Sequence, residues 1–133
     1  EKPAMSVLQP PLSILIVEDV PTMRSMLEQL VAALPGCKVS GSAKNGWEAR
    51  IELSRRRPDL VLLDEVLPGE SSLDLLKEMH ALAIPVLLIT GLEDAAHALP
   101  ELAEGRLFKP SWDNLAADQA RFAAAIKTAL DAK

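Results

Sequence analysis

The sequence predicts an α/β fold, a doubly wound five-stranded parallel sheet with helices on both faces. Short apolar runs alternate along the chain with segments of helical period, and this alternation is typical of parallel strands joined by helices. Two of the runs, Leu60–Asp64 and Val86–Thr90, lack polar alternation, as expected of central strands covered on both faces. Crossovers of this type are right-handed in nearly all cases, which limits the topologies to consider.

The predicted elements follow one another from residue 13 onward. Pro21 suits the first turn of the first helix, Pro35-Gly36 ends that helix, and Asn45-Gly46 makes the turn into the second. Pro58 and Pro85 each precede a strand. The predicted strands are Ser13–Val17, Lys38–Ala43, Leu60–Asp64, Val86–Thr90 and Arg106–Lys109. The predicted helices are Pro21–Ala33, Gly46–Arg56, Ser72–Leu82, Asp94–Ala103 and Asp113–Ala132.

Length and composition indicate one cytoplasmic domain. Residues 1–12 carry three prolines and no periodicity, which predicts a tail, and residues 13–133 then form the domain. The net charge of −5 argues against direct nucleic-acid binding, and the one basic run, Arg55–Arg57, is short. A single cysteine, Cys37, excludes an intrachain disulfide and fits a reducing compartment. No apolar stretch approaches the roughly 20 residues of a membrane span, and no signal-peptide core is present.

Three acidic residues stand at the carboxyl ends of the first and third predicted strands. Ligands of such sheets bind where the strand order reverses, which in the flavodoxin-like order 2-1-3-4-5 is between strands one and three. Glu18 and Asp19 follow the first strand, and Asp64 ends the third. Carboxylates at short range repel one another, whereas Mg²⁺ prefers oxygen ligands and usually takes one or two carboxylates with phosphate oxygens. The alternative is that Glu18 and Asp19 cap the first helix, but capping leaves the position of Asp64 unexplained.

A hydroxyl and an amine stand at the ends of the next two strands. Thr90 ends the fourth predicted strand and Lys109 the fifth, and Gly91 would leave access to the crevice. A hydroxyl and an ammonium group facing a carboxylate–metal site are suited to hold phosphoryl oxygens. Each residue taken singly also has a structural interpretation. The ordered series of acid, acid, hydroxyl and amine favours a phosphoryl-binding site.

Seven short segments carry a family resemblance. They are Ile14–Asp19, Thr22–Arg24, Pro58–Asp64, Leu67–Gly69, Leu73–Leu76, Pro85–Gly91 and Lys109-Pro110. In order and spacing these segments resemble the receiver domain of two-component response regulators, including the stand-alone chemotaxis regulator. The resemblance implies a cis bond before Pro110. It assigns these roles: Asp64 as phosphoacceptor, Glu18, Asp19, Asp64 and the Val66 backbone carbonyl as Mg²⁺ ligands, Thr90 as switch hydroxyl, and Lys109 as phosphate-binding lysine.

The resemblance also implies a reaction and partners. A sensor histidine kinase or a histidine phosphotransfer protein would donate a phosphoryl group from phosphohistidine to Asp64, with Mg²⁺ neutralising the developing charge. The domain would catalyse its own phosphorylation and dephosphorylation without being a conventional turnover enzyme. A downstream protein target or an effector domain would receive the signal. The sequence leaves open whether the domain acts alone or within a longer regulator.

Several positions depart from the family pattern. Arg106 stands at the usual aromatic switch position, and the chain has no tyrosine. We interpret Arg106 either as paired with an acid or as a plain solvated arginine. Pro100 is predicted to break or kink the fourth helix, and Ser71-Ser72 replace an expected glycine. In the last helix, small residues would permit a homodimer contact, although alanine is also simply a good helix former. These residues are Ala116, Ala120, Ala123 and Ala124.

The departures support an alternative function. A degenerate receiver would signal by protein contact without phosphorylation. The intact set of Asp19, Asp64, Thr90 and Lys109 argues against it. A phosphatase of the haloacid-dehalogenase type would need a second acid two residues after its aspartate, where this chain has Val66.

Self-dephosphorylation is predicted to be slow. Val66 and Leu92, two residues beyond Asp64 and Thr90, are apolar and do not orient an attacking water. After removal of the phosphodonor, the phosphorylated protein should persist well beyond seconds when its mass is followed over time. Complete hydrolysis within seconds would show that this interpretation of the two apolar residues is wrong.

Overall fold

Five parallel strands form the central sheet. A computed structural model of the protein describes residues 10–67, 69–91 and 102–131, with only the backbone of Glu70 and Ser71. The strands are β1 Leu12–Val17, β2 Cys37–Ala43, β3 Leu60–Asp64, β6 Val86–Thr90 and β7 Gly105–Phe108. They lie in the spatial order β2-β1-β3-β6-β7, which is 2-1-3-4-5 when these five strands are counted in chain order. The predicted fold class is therefore confirmed.

Helices cover both faces of the sheet. They are α1 Pro21–Ala32, α2 Gly46–Arg55, α3 Ser72–Ala81 and α4 Leu115–Asp131. One apolar core lies between the sheet and α1 and α4, and it includes Leu30 and Phe122. The other lies between the sheet and α2 and α3, and it includes Ala49 and Leu76. Because successive strand residues point to opposite faces, each central strand contributes to both cores.

The element bounds agree closely with the sequence patterns. Strands β3 and β6 begin and end where predicted, since unbroken apolar runs mark both. Leu12, assigned to the tail, belongs to β1 and pairs with Cys37 of β2. The last helix begins two residues later than predicted, because a 3₁₀ turn at Trp112–Asn114 precedes it. The predicted fourth helix lies outside the described residues apart from Leu102 and Ala103, as do Pro100 and Leu92.

A short antiparallel hairpin follows β3 and was not predicted. It pairs β4, Val66–Leu67, with β5, Glu70–Ser71. Gly69 in its turn has a φ of +74°, a conformation that suits glycine. Strands of two residues are too short to leave a periodic pattern in the sequence.

The peptide bond between Lys109 and Pro110 is trans, like every other bond among the described residues. The predicted cis bond is therefore wrong. The two isomers of an X–Pro bond differ by only about 0.5–1 kcal/mol, so local packing decides between them. Within the described ranges, no helix combines the length and apolar character needed to cross a membrane.

The end of α3 contains a strained residue. Ile84 N–H donates to the Met79 carbonyl at 3.0 Å, and Ala83 N–H donates to the His80 carbonyl at 2.9 Å. This pair of bonds is a Schellman motif, which places the residue after the cap in the left-handed region. That residue is Ala83, with a φ of 62°. Glycine usually occupies this position because a Cβ atom is crowded there.

Replacing Ala83 with glycine should stabilise the domain. Removing the crowded Cβ outweighs the larger chain entropy of glycine, so the free energy of unfolding should rise by about 0.5–1 kcal/mol. Urea unfolding measures the change. Ala81→Gly, within the right-handed last turn of α3, is the matched control and should lower stability by about the same amount. Equal or lower stability of Ala83→Gly would contradict the strain.

Candidate functional site

Glu18, Asp19 and Asp64 form an acidic cluster at the carboxyl edge of the sheet. The parallel register that pairs Val17 of β1 with Leu63 of β3 brings the residues that follow this pair, Glu18 and Asp64, to the same level. One carboxylate oxygen from each of the three acids lies within 4.8 Å of the others. Three anionic ligands at this spacing are suited to hold a hard divalent cation.

Glu18 is completely buried, with 0% of its surface exposed. Its Oε2 accepts hydrogen bonds from Val20 N–H at 3.1 Å and from Lys109 Nζ at 3.3 Å. Its Oε1 has no hydrogen-bond donor among the described residues, although Lys109 Nζ lies 3.2 Å away in poor geometry. A buried carboxylate oxygen without a donor is unfavourable. A cation in the cluster would satisfy it, so the residues present fit a divalent metal.

Asp64 is almost as deeply buried, with 2% of its surface exposed. Its Oδ1 accepts a hydrogen bond from Val66 N–H at 3.0 Å, which orients the carboxylate. Burial raises the pKa of Asp64 from an ordinary 3.8 to about 7. The Val66 N–H and the Lys109 ammonium oppose this rise, whereas the Glu18 carboxylate adds to it.

Lys109 reaches the acidic cluster from the end of β7. Its Nζ lies 3.4 Å from Asp64 Oδ2 and is also within reach of both Glu18 oxygens. Burial alone would lower the pKa of Lys109, but the Asp64 and Glu18 carboxylates together raise it above its ordinary value. Gly91 lies beside this side chain, since a Cβ added to Gly91 would be 3.6 Å from Lys109 Cδ. The ammonium group is therefore held charged over Asp64.

Thr90 is buried at the end of β6, with Asp64 on the neighbouring strand. The pairing of Asp64 with Ile89 places Thr90 one residue beyond the level of Asp64. Thr90 also accepts a backbone hydrogen bond from Lys109 N–H at 2.8 Å, which couples the ends of β6 and β7. The roles of its hydroxyl and of the Val66 carbonyl stay predictions.

Helix capping does not account for the acidic pair. The N-cap residue of α1 is Val20, and no side chain caps this helix. Arg24 of α1 instead donates from Nη1 to the Glu18 carbonyl at 2.9 Å. The same nitrogen lies 3.5 Å from the Asp19 carbonyl, so Arg24 fixes the backbone of the acidic pair and leaves the Asp19 side chain outside the capping arrangement.

Ser72 is a supporting residue whose role the sequence did not predict. It is buried at the start of α3, and its hydroxyl donates to the Asp64 carbonyl at 2.7 Å. In the sequence, Ser72 is recognisable only as the first residue of a predicted helix and as part of a departure from the family pattern. Hydroxyl residues are common at helix starts, but nothing in the sequence identifies the carbonyl that this one binds.

Arg106 pairs with Glu65, the residue that follows Asp64. Arg106 Nε donates to Glu65 Oε2 at 2.9 Å, and a second guanidinium nitrogen lies 2.8 Å from the same oxygen. Their side chains are 18% and 14% exposed. Of the two interpretations of Arg106, pairing with an acid is confirmed, and the acid belongs to the same chain.

The fold and the site together define a class of protein. A flavodoxin-like sheet that carries an acidic cluster and a half-buried lysine at its carboxyl edge is the arrangement that the sequence resemblance implied. The family described as response regulator receiver domain matches residues 14–120. The chain belongs to this family, whose members work in two-component signalling.

Two curated relatives illustrate the range of proteins that contain similar sequences. The nitrate/nitrite response regulator protein NarL of Escherichia coli is 35% identical over 107 residues, covering 76% of this chain and 49% of NarL. A protein-glutamate methylesterase/protein-glutamine glutaminase of Agrobacterium fabrum is 35% identical over 80 residues, covering 59% of this chain and 23% of the enzyme. The chain thus spans less than half the length of either relative.

Solved structures of receiver domains have the same fold. The response regulator domain of Thermotoga maritima CheB has a TM-score of 0.77 at 24% identity, covering 91% of this chain and 97% of that one. CheY6 of R. sphaeroides appears in a structure with the P1 domain of CheA3. The matched chain has a TM-score of 0.77 at 25% identity, covering 92% of this chain and 99% of that one.

Substituting Asp64 with asparagine should stabilise the metal-free protein in a pH-dependent way. The folded state keeps the Asp64 proton up to about pH 7, whereas the unfolded chain loses it near the ordinary value of 3.8. The stability contributed by this proton is therefore present at low pH and is lost as the pH rises through about 7. Between about pH 5 and pH 8, the advantage of Asp64→Asn should grow by about 2–3 kcal/mol.

Urea unfolding in the presence of a chelator measures this advantage. Asp113→Asn, at an exposed aspartate, is the control for the loss of one negative charge. Its difference from the wild type should change little over the same range. Parallel pH curves for the wild type and Asp64→Asn would contradict the raised pKa of Asp64.

Proposed function

We propose that the protein is a phosphoacceptor receiver domain in which Asp64 takes a phosphoryl group from phosphohistidine. The observation that carries the proposal is the convergence of one lysine and two carboxylates at the edge of the sheet. Lys109 Nζ lies within 3.4 Å of both Asp64 and Glu18. Burial of Asp64 excludes bulk water from the acceptor, which strengthens electrostatic interactions at the site.

Glu18, Asp19 and Asp64 would hold Mg²⁺, together with the Val66 carbonyl that the family resemblance assigns. The Glu18 oxygen that lacks a donor supports a cation at this place. When bound, Mg²⁺ supplies charge neutralisation between the carboxylates and the incoming phosphoryl group.

The chain's own residues would carry the transfer. An Asp64 carboxylate oxygen forms a bond to phosphorus while the phosphorus–nitrogen bond of the donor breaks, and the electron pair of that bond returns to the imidazole. Lys109, already charged and positioned over Asp64, would bind an oxygen of the transferred group. Thr90 would donate its hydroxyl to another oxygen once Asp64 is phosphorylated.

The partners in this proposal are proteins. The solved complex of a CheA3 P1 domain with CheY6 supports a kinase or a histidine phosphotransfer domain as the donor. Relatives such as NarL and the methylesterase support an effector domain or a protein target downstream.

We propose a cytoplasmic location and residues 13–133 as the receiver unit. Homodimerisation through the exposed alanines of α4 stays a hypothesis. These are Ala116, Ala120, Ala123 and Ala124.

One feature favours a second candidate function. Arg106 occupies the position at which the family usually carries an aromatic switch residue, and it is held by Glu65. A receiver that binds its partner without phosphorylation would have no need of the usual switch. Phosphorylation therefore has to be tested directly.

A small phosphodonor separates the two candidates. With acetyl phosphate and Mg²⁺, the wild type should gain the mass of one phosphoryl group, and Asp64→Asn should gain none. Omitting Mg²⁺ or adding a chelator should also prevent the modification. Asp59→Asn is the matched control, because Asp59 lies before β3 and accepts a hydrogen bond from Ser13 N–H that asparagine can also accept. No modification of the wild type would favour the protein-binding module.

A further inference from the structure

The Glu65–Arg106 ion pair crosses the end of the central sheet beside the phosphorylation site. Leu63 of β3 pairs with Leu88 of β6, which pairs with Arg106 of β7. These three side chains therefore share the face of the sheet that α2 and α3 cover. Glu65 N–H donates to the Ile89 carbonyl at 2.9 Å, which fixes the backbone directly after Asp64. The ion pair thus links β7 to the segment that follows β3, across the end of β6.

The pair is more deeply buried than a comparable pair on the surface. Arg50 of α2 and Glu78 of α3 form a bidentate contact, at 2.9 and 2.6 Å, but their side chains are 41% and 44% exposed. Glu65 and Arg106 are 14% and 18% exposed. An ion pair with this little exposure is weakly screened, and losing one partner leaves the other charge poorly solvated.

Glu65 directly follows Asp64 in the chain, although its carboxylate is not one of the three that lie together in the acidic cluster. A negative charge adjacent to Asp64 attracts a divalent cation but repels an incoming phosphoryl group. Lys109 lies within reach of Glu18 and Asp64, so its charge balances carboxylates of the acidic cluster. The charge of Glu65 is instead balanced by Arg106.

We propose that Arg106 is a positioning residue for phosphorylation, because it neutralises and holds Glu65 beside the acceptor. The inference rests on the proposed function, since it concerns the charge that a phosphoryl group meets at Asp64. It gives the residue at the switch position an electrostatic role in loading the site. This role is separate from any contact that Arg106 makes with a partner.

Electrostatic compensation predicts two effects of opposite sign. In Arg106→Met, the Glu65 carboxylate loses its positive partner. Its attraction for the divalent cation should strengthen Mg²⁺ binding about fivefold. The initial rate of phosphorylation by acetyl phosphate at saturating Mg²⁺ should fall about fivefold for the same reason. Calorimetric titration measures the first effect and mass spectrometry the second. A general loss of structure would weaken both together.

Further variants isolate the charge. The double variant Glu65→Gln with Arg106→Met should restore Mg²⁺ affinity and phosphorylation rate towards the wild type. Arg106→Lys keeps the positive charge and should stay within about twofold of the wild type in both. Arg50→Met removes the exposed pair with Glu78 and should change neither.

The proposal is overturned if both quantities fall in Arg106→Met, if neither changes, or if the double variant fails to restore them. These results differ from a failure of the proposed function, in which the wild type itself takes up no phosphoryl group. In that case the proposed role of Arg106 fails with it.

Discussion

The contact of the half-buried Lys109 with the buried carboxylates of Glu18 and Asp64 is the interaction on which the site depends. An ammonium group and two carboxylates are costly to remove from water unless they meet one another, and here one lysine serves two acids from two strands. The parallel register of β1, β3, β6 and β7 brings these residues to one edge. Fold and site therefore constrain each other, because a shift of one residue in any of these strands would bury an unpaired charge.

Two apolar cores hold that register in place. The strand residues on one face pack against α1 and α4, and those on the other face pack against α2 and α3. The same alternation separates two sets of charges at the carboxyl edge. Lys109 faces the acidic cluster, whereas Arg106, three residues earlier, lies on the opposite face and pairs with Glu65. The two cations thus serve different carboxylates although they belong to the same short segment.

The sequence predicted those parts of the molecule that periodicity and punctuation encode. Strands β3 and β6 are unbroken apolar runs, so their bounds and the positions of Asp64 and Thr90 at their ends could be read directly. The β4–β5 hairpin is too short for a period to exist. The partners of Arg106 and Ser72 could not be predicted either. Glu65 lies 41 residues from Arg106. The acceptor of the Ser72 hydroxyl is a backbone carbonyl, which every residue type carries and which therefore leaves no signal in the sequence.

The buried bond from Ser72 to the Asp64 carbonyl has a mechanical consequence. Helix α3 starts at Ser72 and has 10 residues, so it is about 15 Å long. Its first residue is tied to the backbone of Asp64, and its far end meets Ile84 just before β6 begins. A helix is stiff along its axis, so α3 holds these two points at a fixed separation. Helix α3 therefore connects the carboxyl edge of the sheet, at Asp64, with the amino edge, where β6 begins.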